Sequence, residues 1–191
     1  VEARVRLIGE KVLYSGWGRF KLLQVRMKDG SVAERQIEDH GQAAAVLPYD
    51  PVRRVALLAR QPRMGPLYLG LDPYLMEAAA GIIDPGEDAG SAVRREALEE
   101  LGLRLGELEP VATAWTTPGV SSERGYLFLA SYSQADRVAR GGGLASEQED
   151  IEVLELPLDQ LARMADEGAL EDLKTLALVL TLMRRRPELF G

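Results

Sequence analysis

The chain has no cysteine, which excludes a disulfide framework and a zinc–thiolate site. It has one histidine, His40, and no chemistry is assigned to it, because a solitary histidine is more commonly a surface or packing residue. Long uncharged apolar runs are missing as well. Leu173 to Met183 is apolar but short, and it contains Lys174, so it reads as a packed helix rather than a membrane span. The first residues, Val-Glu-Ala-Arg-Val-Arg, lack the apolar core of a signal peptide. No membrane association and a cytoplasmic address are therefore expected. Basic residues are in deficit: 23 Lys and Arg stand against 30 Asp and Glu, a net charge of −7. That argues against nucleic acid as a partner, since a phosphate backbone wants a basic surface.

What is present suits an ordinary soluble domain. The 191 residues are 46% hydrophobic and 28% charged, enough for one well-cored domain with a small arm. Val5 to Ile8, Phe20 to Met27 and Ser31 to Ile37 read as strands, with a hairpin turn at Asp29-Gly30. They form an expected antiparallel β arm over residues 1–40, followed by a main domain over 41–191. In that domain Ala43 to Tyr49 and Arg54 to Gln61 read as buried strands joined at Asp50-Pro51, and Tyr74 to Ala80 as one further strand. Val111 to Thr116, Tyr126 to Ser131 and Glu152 to Leu156 complete the strands; Leu158 to Asp166 and Glu171 to Arg185 read as helices. Residues 134–150, with Gly141-Gly142-Gly143, read as a long flexible connection. The pattern predicts an α/β fold, a mixed sheet flanked by helices.

The most informative stretch is Gly81 to Leu103. A glycine-rich loop runs into a helix expected over 89–101, with Asp88 as N-cap and Gly102 as its stop. Glu96, Glu99 and Glu100 share one face at roughly 100° per residue, and Val93, Ala97, Leu98 and Leu101 fall mostly on the other. Like charges one turn apart destabilise a helix, and a divalent cation reverses the sign of that effect. Carboxylate oxygens suit Mg²⁺, with Mn²⁺ as a substitute, rather than a soft metal.

This stretch resembles the Nudix hydrolase signature, Gly-x5-Glu-x7-Arg-Glu-(aliphatic)-x-Glu-Glu-x-Gly-(aliphatic). Gly81, Glu87, Arg95, Glu96, Glu99, Glu100, Gly102 and Leu103 match at the required spacing; Ala97 is smaller than the usual aliphatic. Pro118, in Thr-Thr-Pro-Gly-Val-Ser-Ser-Glu-Arg, lies fifteen residues beyond Leu103 and resembles the ADP-ribose pyrophosphatase branch. So do residues 143–151, Asp172-Leu-Lys-Thr175, Gln61-Pro-Arg63 and Leu75-Met-Glu77, although Arg60 replaces the usual acid before Gln61. The resemblance implies a Nudix-type α/β/α sandwich and a homodimer formed through swapped N-terminal arms.

The implied reaction is attack of water on one phosphorus of a nucleoside diphosphate sugar. Glu96 and Glu100 are expected metal ligands, and Glu99 completes the site or binds through water. The resemblance adds the Ala80 carbonyl and Glu149 to the metal set and makes Glu147 the general base. Arg95 pairs with Glu87 and aims the carboxylates; Gly81, Gly86 and Gly102 serve backbone geometry. Arg63 suits a phosphate through its planar fork, Glu123 and Ser122 suit sugar hydroxyls, and Trp17 suits base stacking. Glu77 resembles a position at the metal site or its waters, with a structural salt bridge as the alternative. The negative net charge predicts strict metal dependence, because acidic side chains repel a diphosphate until cations intervene. ADP-ribose, giving AMP and ribose 5-phosphate, is the first expected substrate. A GDP-mannose-type hydrolase is the alternative, since Ser15-Gly-Trp17 and Lys174-Thr175 resemble that group. A nucleotide-sugar sensor without turnover is the alternative of another class.

Overall fold

A computed structural model describes residues 4–144, 146 and 149–191. The chain divides into two units, Val1–Gln42 with Ala114–Gly125, and Ala43–Thr113 with Tyr126–Gly191.

The first unit contains an antiparallel sheet in the order β1-β2-β3: β1 (Arg6–Ser15), β2 (Arg19–Arg26) and β3 (Val32–Asp39). The β2–β3 turn places Gly30 at φ 84°, and Asp29 accepts hydrogen bonds from the Ser31 amide and hydroxyl. β1 runs past the expected end at Ile8. Irregular register at Leu7/Gly9 and Val12/Tyr14 absorbs Gly9 without breaking the pairing to β2. Leu7, Val12, Leu13 and Tyr14 are exposed on this sheet.

The second sheet has seven strands, β10-β5-β4-β9-β8, with β6 on β5 and β7 on β4. The strands are β4 (Ala43–Asp50), β5 (Val55–Pro62), β6 (Tyr74–Glu77), β7 (Ala79–Ile82), β8 (Glu109–Trp115), β9 (Arg124–Ser131) and β10 (Glu152–Pro157). Period-2 alternation explains the layers. Ala45, Leu47 and Tyr49 of β4, with Ala56 and Leu58 of β5, face a core shared with Leu158, Leu161, Leu178 and Leu182. Those four leucines come from α3 (Leu158–Asp166) and α4 (Leu173–Arg185). Ala44, Val46, Leu57 and Ala59 face the opposite core, shared with Ala92, Val93, Ala97 and Leu101 of α2 (Ala89–Leu101). Both faces are covered, so these strands read as continuous apolar runs.

The expected single strand over residues 74–80 is two. β4 and β5 pair directly only at Tyr49↔Ala56 and Asp50↔Val55. Beyond that hairpin β5 pairs with β6 and β4 with β7. Ala78 is where the chain steps from one pairing to the other, a break that depends on two distant strands. A short helix, α1 (Met64–Tyr68), buries no side chain and so carries no apolar period by which the sequence would reveal it. Among the described residues, no helix is long and apolar enough to cross a membrane.

Candidate active site

Helix α2 starts and stops where its local sequence dictates. The Asp88 carboxylate accepts from the amides of Gly90 and Ser91. Gly102 takes φ 70°, and the amides of Gly102 and Leu103 return to the carbonyls of Leu98 and Ala97. A Cβ at Gly102 would also overlap the Ala139 carbonyl. The small side chain of Ala97, at odds with the usual signature, is fully buried against the sheet.

The acidic face is not a solvated one. Glu96 and Glu100 are buried, Glu100 at 2% exposure, whereas Leu98 is exposed. Leu98 does lie away from the acidic face, as helical pitch places it, but it is exposed because the covered side of α2 is the one that carries Glu96 and Glu100. Glu100 Oε2 accepts from the Ala80 amide (3.1 Å), and Oε1 lies 3.5 Å from Gln61 Nε2. A Cβ at Gly81 would occupy the space of the Glu96 carboxylate, so glycine is favoured there by close approach and not by the expected turn: Gly81 lies within β7, paired with Ala44.

Arg95 holds the surrounding charges. Its guanidinium donates to Glu87 through Nε and Nη2 (3.3 and 3.1 Å), to Glu96 Oε1 (2.7 Å), to Glu99 Oε2 (3.3 Å) and to the Ile82 carbonyl (3.0 Å). These hydrogen bonds, Glu87 first, raise the guanidinium pKa, and Arg95 in turn lowers that of Glu87. The expected Arg95–Glu87 pair is present, and Glu96 and Glu99 join it.

The two buried carboxylates resist ionisation. Burial, with the charges of Glu99 and Glu149 added, raises the Glu96 pKa despite Arg95. Burial and then the neighbouring Glu96 charge push Glu100 up to about 8. Glu149 thus contributes to the same negative field, while its Oε2 accepts from the Leu144 amide (2.8 Å). Glu147 lies outside the described residues.

Among the described residues, no three acidic or histidine side chains already converge into a metal cage. The donor set nevertheless fits a hard divalent cation. Two buried carboxylates of like charge meet beside the main chain of Ala80 and Gly81, and Mg²⁺ keeps several waters and so needs few protein ligands. Glu96, Glu100 and the Ala80 carbonyl would hold it.

A NUDIX domain model matches residues 39–179. The chain belongs to the Nudix family. It is 36% identical over 186 residues to a GDP-mannose pyrophosphatase of Cronobacter sakazakii, covering 95% of this chain and 96% of that one. A GDP-mannose pyrophosphatase of Klebsiella pneumoniae is 34% identical, covering 92% and 89%. The crystal structure of an ADP compounds hydrolase superposes with a TM-score of 0.77 over 97% of this chain and 96% of the other, at 15% identity, and so shares the Nudix fold. Nudix hydrolases generally need a divalent metal.

The remaining expected residues fall into two groups, one in each unit. In the second unit, Arg63 grips Glu77 with Nε and Nη2 (2.6 and 2.8 Å), and Lys174 Nζ reaches the same carboxylate (3.1 Å). Glu77 is 2% exposed, and the expected salt bridge is in place. The hydrogen bond to Glu77 raises the Arg63 pKa. The sequence marks Lys174 only as part of a helix motif; its ammonium is placed by an ion pair whose members lie 97 residues apart in sequence.

In the first unit, Trp17 stacks on His40 with ring centroids 4.9 Å apart, and His40 Nε2 meets Glu123 Oε2 at 2.6 Å. Ser122 donates to Asp39 (2.9 Å). Two residues expected to touch substrate, Trp17 and Glu123, thus meet at His40, and the third, Ser122, binds the preceding residue, Asp39. Nothing local to His40 signals this, since Glu123 is 83 residues distant.

The glycine run is not a flexible linker. Gly141, Gly142 and Gly143 all have positive φ (70°, 107° and 79°). The amides of Gly142 and Gly143 donate to the carbonyls of Glu100 and Glu99 (2.8 and 3.0 Å). The run caps the end of the Nudix helix, and a Cβ at Gly141 would collide with the Glu100 carbonyl.

Proposed function

We propose that this chain hydrolyses the diphosphate linkage of a nucleoside diphosphate sugar, with Mg²⁺ as cofactor and GDP-mannose as the first-ranked substrate. The chemistry rests on one observation: two buried, reluctantly ionised carboxylates, Glu96 and Glu100, sit against the Ala80–Gly81 backbone. Such an arrangement is costly alone and favourable around a cation. The ranking of GDP-mannose above the expected ADP-ribose rests on the names and the 34–36% identity of the two bacterial relatives. ADP-ribose stays as the second reading, supported by Pro118 and the loop around Glu149.

When bound, the cation supplies charge neutralisation and an acidified water. The chain's own groups do the rest. Arg95 holds Glu96 and Glu99 in register with Glu87. Arg63, its Nε and Nη2 committed to Glu77, directs its remaining Nη1 to a phosphate oxygen. Glu147 takes the proton as water attacks one phosphorus and the bridging P–O bond breaks. GDP-mannose would give GMP and mannose 1-phosphate. Trp17, backed by His40, is the proposed nucleobase platform, with Glu123 and Ser122 beside it. The exposed apolar side chains of β1–β3 support a homodimer formed through the first unit.

The deciding assay is a panel of GDP-mannose, ADP-ribose and other nucleotide sugars with Mg²⁺ and then with chelator. A higher kcat/KM for GDP-mannose is expected, with activity lost in EDTA. Faster cleavage of ADP-ribose would reverse the ranking, and tight binding without product would favour a sensor. Glu147→Gln should lose most of kcat with substrate affinity nearly intact; turnover near wild type would remove Glu147 from the role of base.

A further inference from the structure

Ala78 carries the structural problem created by the splayed strands. Its neighbours pair outward on both sides, Glu77 with Ala59 of β5 and Ala79 with Val46 of β4. The Ala78 amide falls between the two pairings, and Ala78 is 1% exposed. A buried N–H needs an acceptor, and here it comes from α4, 97 residues away: Ala78 N donates to Thr175 Oγ1 at 2.7 Å. The Thr175 hydroxyl is oriented for this by its own donation to Asp172 Oδ2 (2.6 Å), and Asp172 also accepts from the Thr175 amide as the α4 N-cap (2.9 Å). Asp172 Oδ1 in turn holds Lys174 Nζ at 2.7 Å, which bridges to Glu77 on the other side of Ala78. Two residues beyond Ala78, the Ala80 amide holds Glu100.

We infer that Thr175 and Asp172 are positioning residues: the α4 N-terminus clamps the β6–β7 step through the Ala78 amide and so sets the Ala80 main chain against Glu100. The inference rests on the proposed function for its kinetic arm and on metal binding alone for the other. Thr175 is fully buried and 0% exposed, so it touches neither solvent nor substrate; it acts through Ala78. Threonine fits because one hydroxyl both accepts from Ala78 and donates to Asp172, whereas valine has the same shape and can do neither.

The test uses the full chain with Mn²⁺ as probe, titrated by electron paramagnetic resonance, together with GDP-mannose kinetics well below the melting temperature. Thr175→Val should weaken Mn²⁺ binding and lower kcat by about tenfold each, the usual scale for supports behind a metal site, with KM nearly unchanged. Thr175→Ser, which keeps the hydroxyl, should restore both. Wild-type Mn²⁺ affinity and kcat in Thr175→Val would overturn the role, as would Thr175→Ser being equally impaired. If Thr175→Val does not fold, Asp172→Asn carries the test: it keeps an N-cap acceptor but loses the charge that orients Thr175 and Lys174. It should show a smaller loss of the same sign, and wild-type values would overturn the role. A wild-type chain that binds Mn²⁺ but cleaves no nucleotide sugar would defeat the proposed function, and the Mn²⁺ affinities would still decide the positioning role.

Discussion

Neutralising Glu100 should stabilise the metal-free protein at neutral pH, and the size of the effect follows from its burial. Its pKa rises from the ordinary 4.5 to about 8, through burial and then the charge on Glu96. The folded state therefore binds the Glu100 proton more tightly than the unfolded chain does. The stability contributed is full below pH 4.5 and is lost as pH rises toward 8. At about 1.36 kcal/mol for each pH unit between the two values, the whole loss is on the order of 4–5 kcal/mol. Between about pH 5.5 and 7.5 it amounts to roughly 2–3 kcal/mol, or about 5–10 °C in Tm for a chain of this size.

The assay is calorimetry in EDTA at those two pH values, on wild type and Glu100→Gln. The Glu100→Gln Tm minus the wild-type Tm should grow by that amount from the lower to the higher pH. Mg²⁺ should then raise the wild-type Tm more at the higher pH and leave Glu100→Gln nearly unaffected. A difference that stays flat with pH would refute the buried-charge reasoning. An equal Mg²⁺ response in both proteins would remove Glu100 from the metal site.

Arg95→Ala should lower kcat by about 10–100-fold, and Arg95→Lys should fail to rescue it, because one ammonium cannot span Glu87 and Glu96 as the planar fork does; steady-state kinetics decide this. Gly81→Ala, which drives a methyl group into the Glu96 carboxylate, should weaken Mn²⁺ binding at least about tenfold, measured by titration. Gly142→Ala meets only an ordinary contact with the Ile151 carbonyl (3.7 Å) but forces φ 107° on an L side chain; a loss of about 1–3 kcal/mol in urea unfolding is expected, and no loss would mean that the strap on α2 is soft. Asp172 lies below its ordinary pKa: burial opposes the shift, but Lys174 and Thr175 outweigh it. Its share of stability is therefore present above about pH 3.8 and lost as pH falls further, so Asp172→Asn should flatten the acid limb of the stability curve.

Local chemistry wrote much of this protein into its sequence. The ends of α2 were legible because Asp88 and Gly102 act within a few residues, and α3 was legible because its apolar period is strong. Glu96 and Glu100 were legible as a pair because helical pitch alone aligns them, and Arg95 with Glu87 because they sit eight residues apart on one loop–helix unit. Tertiary structure decided whatever depends on distant partners. The acidic face is buried because β7 lies over it. The strand at residues 74–80 breaks because β4 and β5 splay. The glycine run is pinned because the helix end offers two carbonyls, and His40 gains partners because chain 83 residues away returns to it. Propensity and period report what a residue does with its near neighbours; burial and charge pairing depend on what the fold brings across from elsewhere.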